Sequence, residues 1–166
     1  IALATSKKID SAELHKRIAE NEKAIEANKR NAKSDGSVEK GKVDDYASSG
    51  NSQKVSDKGL FCLGDSVMLS AYTNIQDIYP DATIDAAVSR QIYHALDILS
   101  WYQSQGNIHN TVVISLGTNG VLDENTVEQL LEIIGKDKSI FWVNVYAPGV
   151  EWEASNNKYL NELAKK

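Results

Sequence analysis

From Gly59 onward, short apolar runs rich in β-prone residues alternate with stretches whose apolar positions recur every three to four residues. Residues 60–63, 83–88, 111–116 and 139–146 read as four strands. After the first, Met68, Tyr72, Ile75 and Tyr79 share one helical face, and Pro80 follows where a helix should already have stopped. Ile92, Ala95, Leu96, Leu99 and Tyr102 mark the buried face of a second helix, which ends at Gly106. Asn125-Thr126-Val127-Glu128 has capping-box spacing and opens a third, with Val127, Leu130, Leu131 and Ile134 inward. A last helix over 153–165 uses Leu160 and Leu163. Repeated strand and helix, with runs too apolar for a half-exposed sheet, predict a parallel sheet covered on both faces. With right-handed crossovers this is an α/β, three-layer, doubly wound domain. Ligands bind such sheets at the carboxyl ends of the strands, which here means the turns at Gly64, Val88, Gly117 and Ala147.

The first 58 residues follow another pattern. Asp10-Ser11-Ala12-Glu13 has capping-box spacing and opens a highly charged stretch, so residues 1–33 are expected to form a helical stalk, with weak packing on a neighbour the less favoured alternative. Its apolar positions Leu14, Ile18, Ile25 and Ala32 make a thin stripe, while Glu13/Arg17 and Glu26/Arg30 are i,i+4 pairs that support a solvated helix. A coiled coil is disfavoured because Asn21 and Asn28 fall on one seam. Residues 34–58 turn polar and rich in Gly, Ser, Asp and Lys, the composition of a linker. The folded domain is expected over 59–166.

Composition narrows the functional classes. A net charge of −5 offers no broad basic surface, so nucleic acid is not an expected partner. The single cysteine, Cys62, lies within the first strand and reads as a small buried hydrophobe. No stretch approaches the roughly 20 apolar residues of a membrane span, and Ile1-Ala2-Leu3-Ala4 lacks a complete signal-peptide layout. A soluble, monomeric domain without cofactor or metal is expected, possibly cut from something longer.

The chemistry concentrates at two turns. Ser66 follows Leu63-Gly64-Asp65 where the first strand gives way to helical periodicity, the place where an α/β enzyme presents a nucleophile. The same position suits a plain helix N-cap. The Gly-x-Ser-x-Gly elbow is not matched, because Met68 stands where the second glycine belongs. Asn119, in Gly117-Thr118-Asn119-Gly120 after the third strand, is either a turn former or an amide donor at the same sheet edge.

Gly64-Asp65-Ser66, followed about fifty residues later by Gly117-Thr118-Asn119, resembles the SGNH (GDSL-type) hydrolase superfamily, with its flavodoxin-like sheet. The resemblance implies Ser66 as nucleophile, and Ser66 N–H and the Asn119 amide as oxyanion donors. Asp65 and Gly117 would be supporting residues. The family's second block supplies a glycine N–H, but here the loop reads Ala87-Val88-Ser89-Arg90-Gln91, and Val88 or Ser89 would have to serve. Val-Ser-Arg-Gln with Gly-Thr-Asn-Gly resembles the extracytoplasmic domain of bacterial peptidoglycan O-acetyltransferases. That implies a domain of a larger membrane protein, at the extracytoplasmic face, with acetyl presented by a membrane acyltransferase domain. Ser66 would accept the acetyl group and pass it to the C6 hydroxyl of muramoyl residues in peptidoglycan. Arg90, Gln91, Tyr146 and Trp152 are expected on the glycan side, with core capping an equal alternative for Trp152.

The family's Asp-x-x-His, which supplies the base, does not occur in these residues. None of His15, His94 and His109 has Asp at that spacing, and His94 and His109 read as surface residues. The expectation is a chain that continues beyond Lys166. The alternatives are an O-acetyl esterase of the same superfamily, or a domain that has lost its base and only binds glycan.

Overall fold

The computed structural model describes residues 11–34 and 59–165. The capping residue Asp10, residue Lys166 and the expected linker beyond Ser34 lie outside the described residues. Four strands, β1 (Leu60–Gly64), β2 (Thr83–Ala86), β3 (Thr111–Ser115) and β4 (Ser139–Trp142), form one parallel sheet in the order β2-β1-β3-β4. Helices α1 (Ser11–Ser34), α2 (Ser66–Ser70), α3 (Tyr72–Ile78), α4 (His94–Ser104), α5 (Glu124–Ile134) and α6 (Glu153–Leu163) complete the chain order. Among the described residues no helix is long and apolar enough to cross a membrane.

Strand alternation divides the interior in two. Phe61, Leu63, Val112 and Ile114 face α4, α5 and α6, where Leu99, Val127, Leu130 and Leu160 meet them. Cys62, Ile84 and Ala86 face the opposite way, onto Met68, Leu69 and Tyr72. Burial pushes the Cys62 thiol up to about 11, so it packs as a neutral group. The chain leaves β1 on one face and β3 on the other, so their following loops diverge and open a crevice between neighbouring strand ends. Register puts those ends level, with Gly64 opposite both Ala86 and Ser115.

Several expected boundaries move, each for a local reason. The helix after β1 breaks at Ala71 into α2 and α3, and Tyr79 leaves the buried face. Pro80 disfavours helical backbone at Tyr79, which takes φ −126° and ψ 78° with half its surface exposed. Helix α5 starts two residues early, because Asp123 is the cap: its carboxylate accepts from Thr126 N at 2.9 Å. β2 stops at Ala86 ahead of a turn at Val88 and Ser89. β4 stops at Trp142 instead of Tyr146, because the Asn157 side chain takes both backbone groups of Val145, at 2.8 Å each. β4 is also less covered than its apolar run predicts, with Phe141 and Val143 exposed.

The N-terminal helix is not solvated all round. Ile25 is buried against the α2 face with Ile18 beside it. Asn21 is buried too, donating from Nδ2 to Leu69 O at 2.8 Å and accepting from Thr73 Oγ1 at 3.2 Å. Ile18 and Ile25 of the thin stripe thus dock on the domain, and the asparagine that spoils a coiled-coil seam is one of the anchors. Ile25→Ala is therefore expected to cost about 2–5 kcal/mol of unfolding free energy, as for a buried aliphatic truncation. A free stalk would change by no more than about 0.5 kcal/mol, and urea denaturation distinguishes the two.

Candidate active site

The turn out of β1 is set by Gly64. A Cβ there would stand 2.3 Å from Met68 Cβ, so only glycine lets the strand feed a helix so abruptly. Asp65 N–H donates to Ser115 O at 3.1 Å, which fastens the turn to β3. The fully buried Asp65 carboxylate caps α2, with Oδ1 accepting from Val67 N at 2.9 Å. Ser66, the first residue of α2, is therefore not the cap. It is half-buried, and among the described residues its hydroxyl has no hydrogen-bond partner. Desolvation pushes the Asp65 carboxyl above its ordinary range, while hydrogen bonds from the Val67 backbone and from Thr118 pull the other way.

Asn119 meets this turn from the next strand. Its Nδ2 donates to Asp65 Oδ2 and to Arg90 O, both at 3.3 Å. The amide thus lies beside the residue preceding Ser66 and is shared with the loop after β2. The backbone at Gly117 has φ 118°, and a Cβ would stand 2.8 Å from Val145 Cγ2, so the loop's entry also requires glycine. Ser89 takes φ 57°, the left-handed conformation that glycine occupies freely; it is the one non-glycine among the described residues to do so. The loop keeps a glycine-like path without the glycine.

Arg90 does not face a glycan. It is 6% exposed and turns inward, donating from Nη2 to Asp85 Oδ1 at 2.6 Å, and from Nη1 to Asp85 O at 2.8 Å and Gly64 O at 3.2 Å. Gln91 is exposed, with its carboxamide beside Gly120, across from the Asn119 loop. Tyr146 is 82% exposed, free for contact with a ligand. Trp152 is half-buried and its indole N–H donates to Thr118 O at 3.3 Å, so it braces the Asn119 loop.

Histidine supplies no base here. His94 accepts the Gln91 N–H on Nδ1 at 3.3 Å and lies against the Tyr93 ring. His109 is partly buried rather than on the surface: it stands beside Gly59 and the start of β2, with Nε2 3.1 Å from Thr83 Oγ1. Burial holds its imidazole below the ordinary range. Two side chains that the sequence reading passed over complete the site, Asp85 and Asn156. Asp85 carried a signal, a carboxylate within an apolar strand five residues before an arginine. Asn156 is 1% exposed and holds the Asn119 loop through Gly117, Gly120 and Leu122.

No protein-family model matches the chain. It is 36% identical over 107 residues to the putative peptidoglycan O-acetyltransferase YrhL of Bacillus subtilis, a match covering 64% of this chain and 17% of that protein. With peptidoglycan O-acetyltransferase OatA of Listeria monocytogenes it shares 32% over 104 residues, 63% of this chain and 16% of that one. The C-terminal catalytic domain of peptidoglycan O-acetyltransferase A of Streptococcus pneumoniae, solved with a methylsulfonyl adduct, superposes with a TM-score of 0.57 at 30% identity. That match covers 65% of this chain and 64% of the solved domain. The chain resembles the C-terminal catalytic domain of peptidoglycan O-acetyltransferases. It spans about a sixth of the length of these curated relatives. The four-stranded parallel sheet between helices matches the fold of that solved domain.

Left-handed backbone costs a β-carbon residue about 1–2 kcal/mol. Glycine's extra freedom in the unfolded chain offsets roughly 0.5–1 kcal/mol of any relief. Ser89→Gly is therefore expected to raise stability slightly, by about 0.5–1 kcal/mol in urea denaturation. Val88→Gly, at a residue with negative φ, is expected to gain nothing.

Proposed function

We propose that this domain carries the acyl-transfer site of a peptidoglycan O-acetyltransferase. The observation that carries the reading is the meeting of Ser66 and Asn119 at one crevice, joined through Asp65. The similarity to named peptidoglycan O-acetyltransferases supports it. Ser66 Oγ attacks the acetyl carbonyl and the donor's leaving group departs with a proton. The resulting acetyl-serine is attacked by the C6 hydroxyl of a muramoyl residue, and the proton returns to Ser66. In each half-reaction negative charge gathers on the acetyl oxygen. Ser66 N–H and the Asn119 amide are the donors for it, with the Ser89 backbone N–H as a third. Asn119 exchanges one of its two long 3.3 Å bonds for that oxygen.

The acetyl donor is presented by a membrane acyltransferase domain of the same protein, and the site works on the extracytoplasmic face, where peptidoglycan lies. Gln91 and Tyr146 are the accessible side chains for the acceptor glycan. Among the described residues none is placed as the general base, whose contribution to such a step is typically about 10²- to 10⁴-fold.

Methanesulfonyl fluoride tests the nucleophile. Intact-mass analysis should show one adduct, peptide mapping should put it on Ser66, and Ser66→Ala should abolish it. An adduct that persists in Ser66→Ala, or no adduct at all, contradicts the serine mechanism. Acetyl transfer from an activated ester should produce acetylated glycan, whereas acetate release indifferent to glycan marks an esterase.

A further inference from the structure

Trp152, the N-cap residue of α6, and Asn156 within the helix stand one turn apart and both reach the loop that carries Asn119. Asn156 Nδ2 donates to Gly117 O and to Gly120 O, both at 2.9 Å, and its Oδ1 accepts from Leu122 N at 2.9 Å. Trp152 holds the intervening Thr118 O. Backbone groups on both sides of Asn119 are thus fixed from behind, while its own side chain reaches forward to Asp65 and Arg90.

We infer that Asn156 is a positioning residue for the Asn119 amide. The inference rests on the acyl-transfer reading above for its purpose, and on geometry for its content. Both Nδ2 hydrogens are used on two carbonyls three residues apart, and the carbonyl oxygen is used on a third backbone group. No other residue type of that size presents two donors and an acceptor in this arrangement. Asparagine is a poor helix former, and a buried one inside α6 works against the helix's own stability. Its neighbour Asn157 is an internal control. It lies on the same helix and also bonds backbone through its amide nitrogen and oxygen, but to Val145 after β4 instead of to the Asn119 loop.

The test compares Asn156→Ala, Asn156→Asp and Asn157→Ala with the unaltered protein by NMR. The readouts are the Asn119 side-chain amide resonances and the titration of the Asp65 carboxyl. Asn156→Asp preserves volume and the Leu122 acceptor while removing both donors, so it serves where the alanine variant folds poorly. Both Asn156 variants are expected to move the Asn119 amide toward the shifts of a solvated asparagine. The Asp65 carboxyl should titrate higher in both, because the Thr118 hydrogen bonds that lower it travel with the loop. Asn157→Ala should move both readouts far less, because Asn157 reaches the Asn119 loop only indirectly, through Val145 beside Gly117. The inference is overturned if the Asn156 variants leave both readouts unchanged, or if Asn157→Ala moves them equally, since loosening of α6 alone would do that. Should Ser66 of the unaltered protein resist sulfonylation, the functional reading falls, while these shifts still decide the role of Asn156.

Discussion

A buried ion pair at the carboxyl edge of the sheet organises everything around the candidate site. Asp85 sits within β2 and Arg90 four residues past its end, and both are nearly inaccessible. Taking two charges out of water costs several kcal/mol each, which is recovered only when geometry is good and the remaining donors are used. Here the guanidinium spends its reach on three acceptors: the Asp85 carboxylate, the Asp85 carbonyl and the Gly64 carbonyl. The Arg90 carbonyl then receives Asn119. One residue of the second loop thereby fixes the turn before Ser66 and the loop after β3. Burial and the neighbouring Asp85 carboxylate also push the Tyr102 phenol far above its ordinary range, so the pair reaches into the helical layer through a neutral hydroxyl.

Around that pair the site is assembled almost entirely from backbone held by side chains. Asp65 caps α2 and so relieves Ser66 of structural duty, Gly64 and Gly117 admit turns that a Cβ would block, and α6 fixes the third loop from behind. A serine and an amide on two separate loops need such over-determination, because a misplacement of about 1 Å can cost on the order of 10²-fold in rate. Ser89 fits the same account: its left-handed backbone is sustained by a loop pinned on its far side by Arg90.

What sequence reading captures here is what repeats locally. The strands, the alternation of layers and the two loops bearing Ser66 and Asn119 all follow from periodicity and from glycines at strand ends. What it misses are hydrogen bonds between residues far apart in the chain. Arg90 lies 26 residues from Gly64 and Asn156 lies 39 from Gly117, and no spacing rule connects them. An arginine in a loop therefore reads as a ligand contact, and an asparagine pair in a polar helix carries no signal of its own. The early end of β4 has the same origin, since a distant side chain competes with the ladder for Val145. The docking of α1 was obscured differently, because a thin apolar stripe suits a solvated helix as well as one anchored at Ile25 and Asn21.

The most direct measurement is the rate of Ser66 sulfonylation in the double variant Asp85→Leu/Arg90→Met. Replacing both partners of a buried pair by apolar residues is often neutral or stabilising, whereas removing one alone costs about 3–5 kcal/mol. The double variant therefore separates folding from positioning. The account predicts a folded protein whose Ser66 reacts more slowly, by on the order of 10²-fold, because Gly64 and Asn119 have lost their common anchor. A folded double variant that reacts at the unaltered rate would contradict it.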